Sequence, residues 1–127
     1  MINRNVEKAQ RFKVINTRSG AVVCELAEKA ATPWSRFWGL MNKPSLPAGH
    51  GLWLEPCADI HSCFMRFEFD AVFISKSGEV LHTMQAMKPW RVSRFVKGGR
   101  AVLELPAGAI AASETRPGDC LHLEPVC

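Results

Sequence analysis

Within IHSCFMRFEFD, residues 60–70, side chains able to do chemistry crowd together: His61, Cys63 and Met65 at alternate positions, then Arg66, Glu68 and Asp70. Read as a metal site, His61, Cys63 and Met65 offer one nitrogen and two sulfur donors, a set suited to copper or another soft ion. On a strand, however, same-face neighbours lie roughly 7 Å apart, so a single ion needs further ligands from elsewhere. The sequence marks none, because His50 and His82 each stand alone. A hydrogen-bonded, half-buried histidine is the better reading, and no metal or cofactor is expected.

Read as a hydrolase, Cys57 or Cys63 would be the nucleophile, His61 the base and Asp59 the orienting acid. These residues are near neighbours in sequence, whereas triads usually gather their members from separate segments. No GxSxG elbow is present, and nothing obvious would form an oxyanion hole. The cysteine hydrolase is the alternative reading; the leaning is away from an enzyme.

A second chemistry-bearing stretch, MKPWRVSRFVKGGR (residues 87–100), carries Lys88, Arg91, Arg94, Lys97 and Arg100 with no acid and interleaves Trp90 and Phe95. Nucleic-acid proteins combine such charges with stacking aromatics. The whole chain is only mildly basic, with 16 Lys+Arg against 12 Asp+Glu, which makes nucleic acid an unlikely partner. A small anion or a sugar is better matched: Trp90 gives a flat face and Arg91 directed hydrogen bonds.

Positioning these groups falls to a chain of 127 residues, the usual size of one domain. Hydrophobic content of 47% and charged content of 22% are ordinary for a soluble globular protein. No window approaches the roughly 20 apolar residues of a membrane helix, and MINRNVEKAQ lacks the apolar run of a secretory signal. A cytoplasmic protein with no membrane partner is expected. Five cysteines, an odd number without CxxC pairing, argue against a disulfide framework or a zinc knuckle.

Residues 1–9 are polar and read as a loose tail. FKVIN and AVVCELA, joined by TRSG, read as a hairpin. Thr32-Pro33 starts a short helix over 33–42, with Trp34, Phe37, Trp38 and Met41 on one face; Pro44 and Pro47 follow it. GLWLE, 61–67 and 69–75 are strands; SKSG turns the last into EVLHTMQAM. AVLELP, a short helix in AGAIAASE, and CLHLEP complete the chain. The reading is a mainly β (α+β) single domain over 1–127: a small closed or half-closed β-barrel of about seven short strands with two short helices. In FMRFEFD, period two places Met65, Phe67 and Phe69 on one face and Arg66, Glu68 and Asp70 on the other.

One resemblance joins these segments. Gly39-Leu40-Met41, Pro56-Cys57, Ile60-His61, Met65-Arg66-Phe67, Asp70, Gly78, Pro89-Trp90-Arg91, Leu103 to Gly108, and Gly118-Asp119 occur in that order. The chain, over about residues 11–124, resembles the family known as domain of unknown function 192. Ser62-Cys63-Phe64 stands where the family usually has Thr-Phe-Gly, and Glu68 where it has proline; proline there implies an interrupted strand. The resemblance implies a small β-rich barrel with short helices and no established activity. With the strand interrupted, Arg66 and Asp70 would serve structure, Asp70 fixing a turn through backbone N–H groups. The expected function is a soluble binding or accessory protein. Its carbohydrate or anionic ligand would sit in a cleft lined by His61, Met65, Arg66, Asp70, Trp90 and Arg91.

Overall fold

In the computed structural model, residues 10–29, 46–60 and 67–126 are described. They form seven strands and one short helix. The strands are β1 (Arg11–Asn16), β2 (Val22–Lys29), β3 (His50–Leu54), β4 (Phe69–Ser75), β5 (Val80–Met87), β6 (Gly99–Pro106) and β7 (Leu121–Pro125). The helix, α1 (Ala109–Ser113), lies between β6 and β7. The expected helix over 33–42 and the expected strand at 61–67, but for Phe67, fall outside the described residues. No helix among the described residues is long and apolar enough to cross a membrane.

All seven strands belong to one sheet, in the order β5-β4-β6-β3-β2-β1-β7. Both expected hairpins are present: β1 pairs antiparallel with β2, and β4 with β5. Between Ser75 and Val80 the chain reverses through Gly78 at φ 92°, a left-handed conformation that glycine adopts without a Cβ penalty. One pair departs from the antiparallel pattern, since β2 runs parallel to β3. Parallel neighbours require a long crossover, and residues 30–49 supply its length.

The two edge strands meet at one end only. Glu79 bridges Cys120; the Val80 N–H donates to Asp119 O at 2.7 Å and the Leu121 N–H to Gly78 O at 2.9 Å. This seam makes the sheet a half-closed barrel. Its interior is filled by side chains from every strand: Phe12 and Val14, Cys24 and Ala27, Trp53, Val72 and Ile74, Val80, Leu103 and Leu105, Leu121 and Leu123. Phe12 meets Trp53 edge to face at 5.0 Å between ring centroids, a favoured arrangement of aromatic quadrupoles. Ile110 of α1 plugs this interior.

The outer face of β3, β6, β4 and β5 is covered as well. Leu54, Phe69, Ala71, Phe73, Met87 and Val102 form a second cluster there, joined by Leu46, Ile60 and Val96 from loops. Burial on both faces explains why FDAVFIS reads as an almost unbroken apolar run rather than an alternation. Period two alone does not say whether the face holding Asp70 is wet; Asp70 is fully buried within β4. Phe67 sits at a bend and Glu68 outside any strand, with β4 starting at Phe69, so the strand is interrupted where proline would stand in the family pattern.

Candidate functional site

The stretch 88–97 lies over the outer cluster and is fastened at three-residue intervals. The Ser93 N–H donates to Ile60 O at 2.8 Å, and the Ile60 N–H returns a bond to Ser93 Oγ at 2.9 Å. Three residues on, the Val96 N–H donates to Ala58 O at 2.9 Å, and the Val96 side chain joins the outer cluster. Gly99 then passes so close to this segment that a Cβ there would fall 2.9 Å from Val96 O and 3.2 Å from the Ala58 Cβ. With Ser93 and Val96 turned inward, the residues on either side face water: Arg91 and Val92, then Arg94 and Phe95, then Lys97. Cations and apolar side chains thus alternate along one pinned surface.

Trp90 and Arg91 are both exposed on this stretch. Trp90 is 58% exposed and has φ 64°. A left-handed backbone is unusual for a bulky non-glycine residue. Next to this surface, the His82 ring of β5 meets Phe73 at a 46° tilt, 5.5 Å between centroids. Partial burial, and secondarily the nearby Arg94 charge, push its imidazole below the ordinary histidine range. Arg100, the last cation of the basic stretch, reaches Glu55 at 3.3 Å.

Asp70 has a different setting. Its Oδ1 accepts the Ala86 N–H at 2.7 Å; its Oδ2 accepts the N–H groups of Gly108 at 3.1 Å and Ile110 at 2.9 Å. Ala86, at φ 50°, lies in the irregular register where Phe69 pairs Met87 but Ala71 pairs Met84. Gly108 precedes α1. One carboxylate therefore fixes a bulge in β5 and the start of α1, the N–H-binding role that the resemblance implied. It points toward the helix side of the sheet, whereas its neighbours Phe69 and Ala71, and the stretch 88–97, belong to the outer side. Among the described residues, Trp90 and Arg91 come together and Asp70 does not join them. His61, Met65 and Arg66 lie outside the described residues, as does Cys63.

The thiols bear on the hydrolase alternative. Cys57 Sγ donates to Asp59 O at 2.9 Å. Cys24, which has no part in that alternative, is buried in the barrel, and burial pushes its thiol up to about 11. No group of three or more His, Cys, Asp or Glu gathers as a metal-ligand set among the described residues.

Two features escaped the sequence reading. Glu104 of β6 is only 5% exposed and shares the outer face with Val102, opposite Leu52 and Ala71. The sequence signal is partial: in AVLELP the acid falls in period with Val102 inside an apolar strand. The second is a polar knot beside the barrel seam. Asp119 accepts Arg18 Nε at 2.6 Å, Asn16 Nδ2 at 2.8 Å and the Arg116 N–H at 3.0 Å. Thr115 and Ser113 continue it, their hydroxyls 2.7 Å apart. The Arg18 guanidinium, helped by Asn16 and the Arg116 N–H, holds the Asp119 carboxyl well below the usual carboxylate range although burial opposes this. The GD pair of the sequence pattern is thus a structural fastening, with Gly118 at φ 96° making the turn.

Known proteins share this architecture. A crystal structure from Sinorhizobium meliloti 1021, described as a candidate transcription regulator, superposes with a TM-score of 0.72 at 25% identity, over 89% of this chain and 92% of that one. A protein of unknown function from Novosphingobium aromaticivorans gives a TM-score of 0.73 at 22% identity, over 88% and 83%. In sequence, the chain is 31% identical to a UPF0127 protein of Thermococcus sibiricus over 116 residues, 87% of this chain and 74% of that protein. It is 35% identical to a UPF0127 protein of Pyrococcus furiosus over 90 residues, 68% of this chain and 77% of the relative. The family model matches residues 14–123, and the chain belongs to the domain of unknown function 192 family, described as uncharacterized ACR.

Proposed function

We propose that the protein is a binding or accessory protein. Its ligand is an anionic or hydroxyl-rich small molecule, a carbohydrate among the options, that contacts the outer face at Trp90 and Arg91. His61, Met65 and Arg66 complete the cleft in this reading. Asp70 acts at one remove, as a positioning residue, by holding the β5 bulge from which the chain runs on into Lys88 and Trp90.

The observation that carries this reading is the state of Trp90. The Trp90 indole is more than half exposed, and its backbone occupies a conformation costing on the order of 1–3 kcal/mol. Strain of that kind persists where the surroundings over-determine it, often at ligand sites. Arg91 beside it supplies a fixed fork of donors matched to carboxylate or phosphate oxygens. The indole would stack on a sugar or a planar ring.

Thermal denaturation in the presence of panels of small carbohydrates, nucleotides and carboxylates tests the proposal. A ligand present at about a hundred times its Kd raises stability by about 2.7 kcal/mol, a clear upward shift in Tm. Trp90→Ala and Arg91→Ala should abolish that shift while leaving the ligand-free Tm close to wild type. Panels that leave wild type and both variants unmoved count against it.

A further inference from the structure

We infer that the stretch 90–97 is an interfacial docking surface for an anionic lipid bilayer. The inference goes beyond the small-molecule reading; it shares Trp90 and Arg91 with that reading and rests on Val92 and Phe95 above all. Among the described residues, the three most exposed large apolar side chains are Val92 at 72%, Phe95 at 69% and Trp90 at 58%. They all lie within six consecutive residues, and the cations among and just after them, Arg91, Arg94 and Lys97, are also exposed.

The three-residue repeat produces this arrangement. Ser93 and Val96 are the inward points, held by backbone bonds to Ile60 and Ala58. Each inward residue is preceded by an apolar side chain, Val92 or Phe95, and followed by a cation, Arg94 or Lys97. A pinned loop of this kind loses little entropy on docking, because its backbone is already ordered.

Two properties favour a bilayer over other anionic partners. First, exposures near 70% mean that Val92 and Phe95 project from the surface. Projecting apolar side chains suit a fluid phase that needs no complementary shape. Second, Val92 has no aromatic face to stack on a base, yet it is the most exposed of the three. Trp and Phe at the headgroup level with Arg and Lys against anionic lipid is the pattern of interfacial attachment. Such a contact needs no spanning segment.

The test is co-sedimentation of the full chain with vesicles of phosphatidylcholine alone and with about 30% phosphatidylglycerol, near 0.05 M and about 0.5 M salt. Wild type should pellet with the anionic vesicles at low salt, at least about tenfold more strongly than with neutral ones, and release at high salt. Replacing Arg94 or Lys97 by Gln should weaken binding about fivefold each. The double variant Val92→Ser, Phe95→Ser should weaken it more than tenfold. An unchanged thermal midpoint shows that these exposed-site variants still fold. Protein remaining in the supernatant with both vesicle types would overturn the inference. So would apolar variants that bind like wild type, since simple charge adsorption would then suffice. A single-stranded oligonucleotide that binds more tightly than the vesicles, with that binding lost in Trp90→Ala, would assign the surface to nucleic acid instead. None of these readouts depends on whether a small molecule shifts Tm.

Discussion

The carboxylates that fasten the barrel and the cations that line the stretch 88–97 use charge in opposite ways. Asp70 and Asp119 are buried, and each accepts three or more hydrogen bonds within the fold. Their partners come from distant parts of the chain: Asp119 draws on Asn16 and Arg18, about a hundred residues away. The cations are exposed, close in sequence, and carried on a segment that contains no acid. Buried charge must be matched locally because desolvation is costly; exposed charge need not be, because water solvates it. The first group therefore reads as architecture, and the second is free to be selected for what it meets outside the molecule.

This contrast can be broken most decisively at Asp70. Asp70→Ala leaves the N–H groups of Ala86, Gly108 and Ile110 without their acceptor, and should cost about 3–5 kcal/mol in chemical denaturation. A loss below about 1 kcal/mol would show that the bulge and the helix start are held by something else.

Asp119 offers the next largest effect and a pH signature. Its folded pKa lies below the unfolded value of about 3.9, so its contribution is fully present above that value and is lost as pH falls through the folded pKa. Asp119→Asn should cost about 2–3 kcal/mol near neutral pH and flatten the fall in stability below about pH 4. An acid limb unchanged by the substitution would remove Asp119 from this role.

The stretch 88–97, and Gly99 of β6 that packs against it, should respond more weakly. Gly99→Ala pushes a methyl against Val96 O and Ala58, and should cost about 1–2 kcal/mol, because backbone atoms cannot give way cheaply. Trp90→Gly should raise stability by up to about 1 kcal/mol, since glycine accepts the left-handed backbone that tryptophan strains. Phe95→Ser should change it by no more than about 0.5 kcal/mol. A large loss at Phe95 or Trp90 would mean that these side chains pack inside the fold, and would collapse the distinction between the two regions.

Much of the architecture was legible in the sequence because it rests on local rules. TRSG and SKSG announce their hairpins through turn chemistry, AVLELP and CLHLEP read as strands from composition, and α1 falls within AGAIAASE. The alternation in FMRFEFD misled for a physical reason. Period two assigns side chains to faces but cannot say which face is wet, and in β4 both are dry. Alternation alone groups Asp70 with Arg66 and Glu68, whereas the wider resemblance points to backbone N–H groups as its partners. The burial of Glu104 is not legible in the sequence, because one acid in an apolar strand looks like an edge feature until both neighbours, β3 and β4, are known.

The sequence by itself determined the family, the β-rich barrel and the concentration of cations and aromatics at 88–97, since these follow from motif order, turn residues and composition. Only the tertiary structure decided what those groups face. It joined Asn16 and Arg18 to Asp119 across the barrel seam, and it turned Asp70 toward α1. It also left Trp90, Val92 and Phe95 more than half exposed. The reason is that burial and pairing depend on which distant strands become neighbours, and strand order is fixed by the packing of the whole sheet rather than by any local stretch of chain.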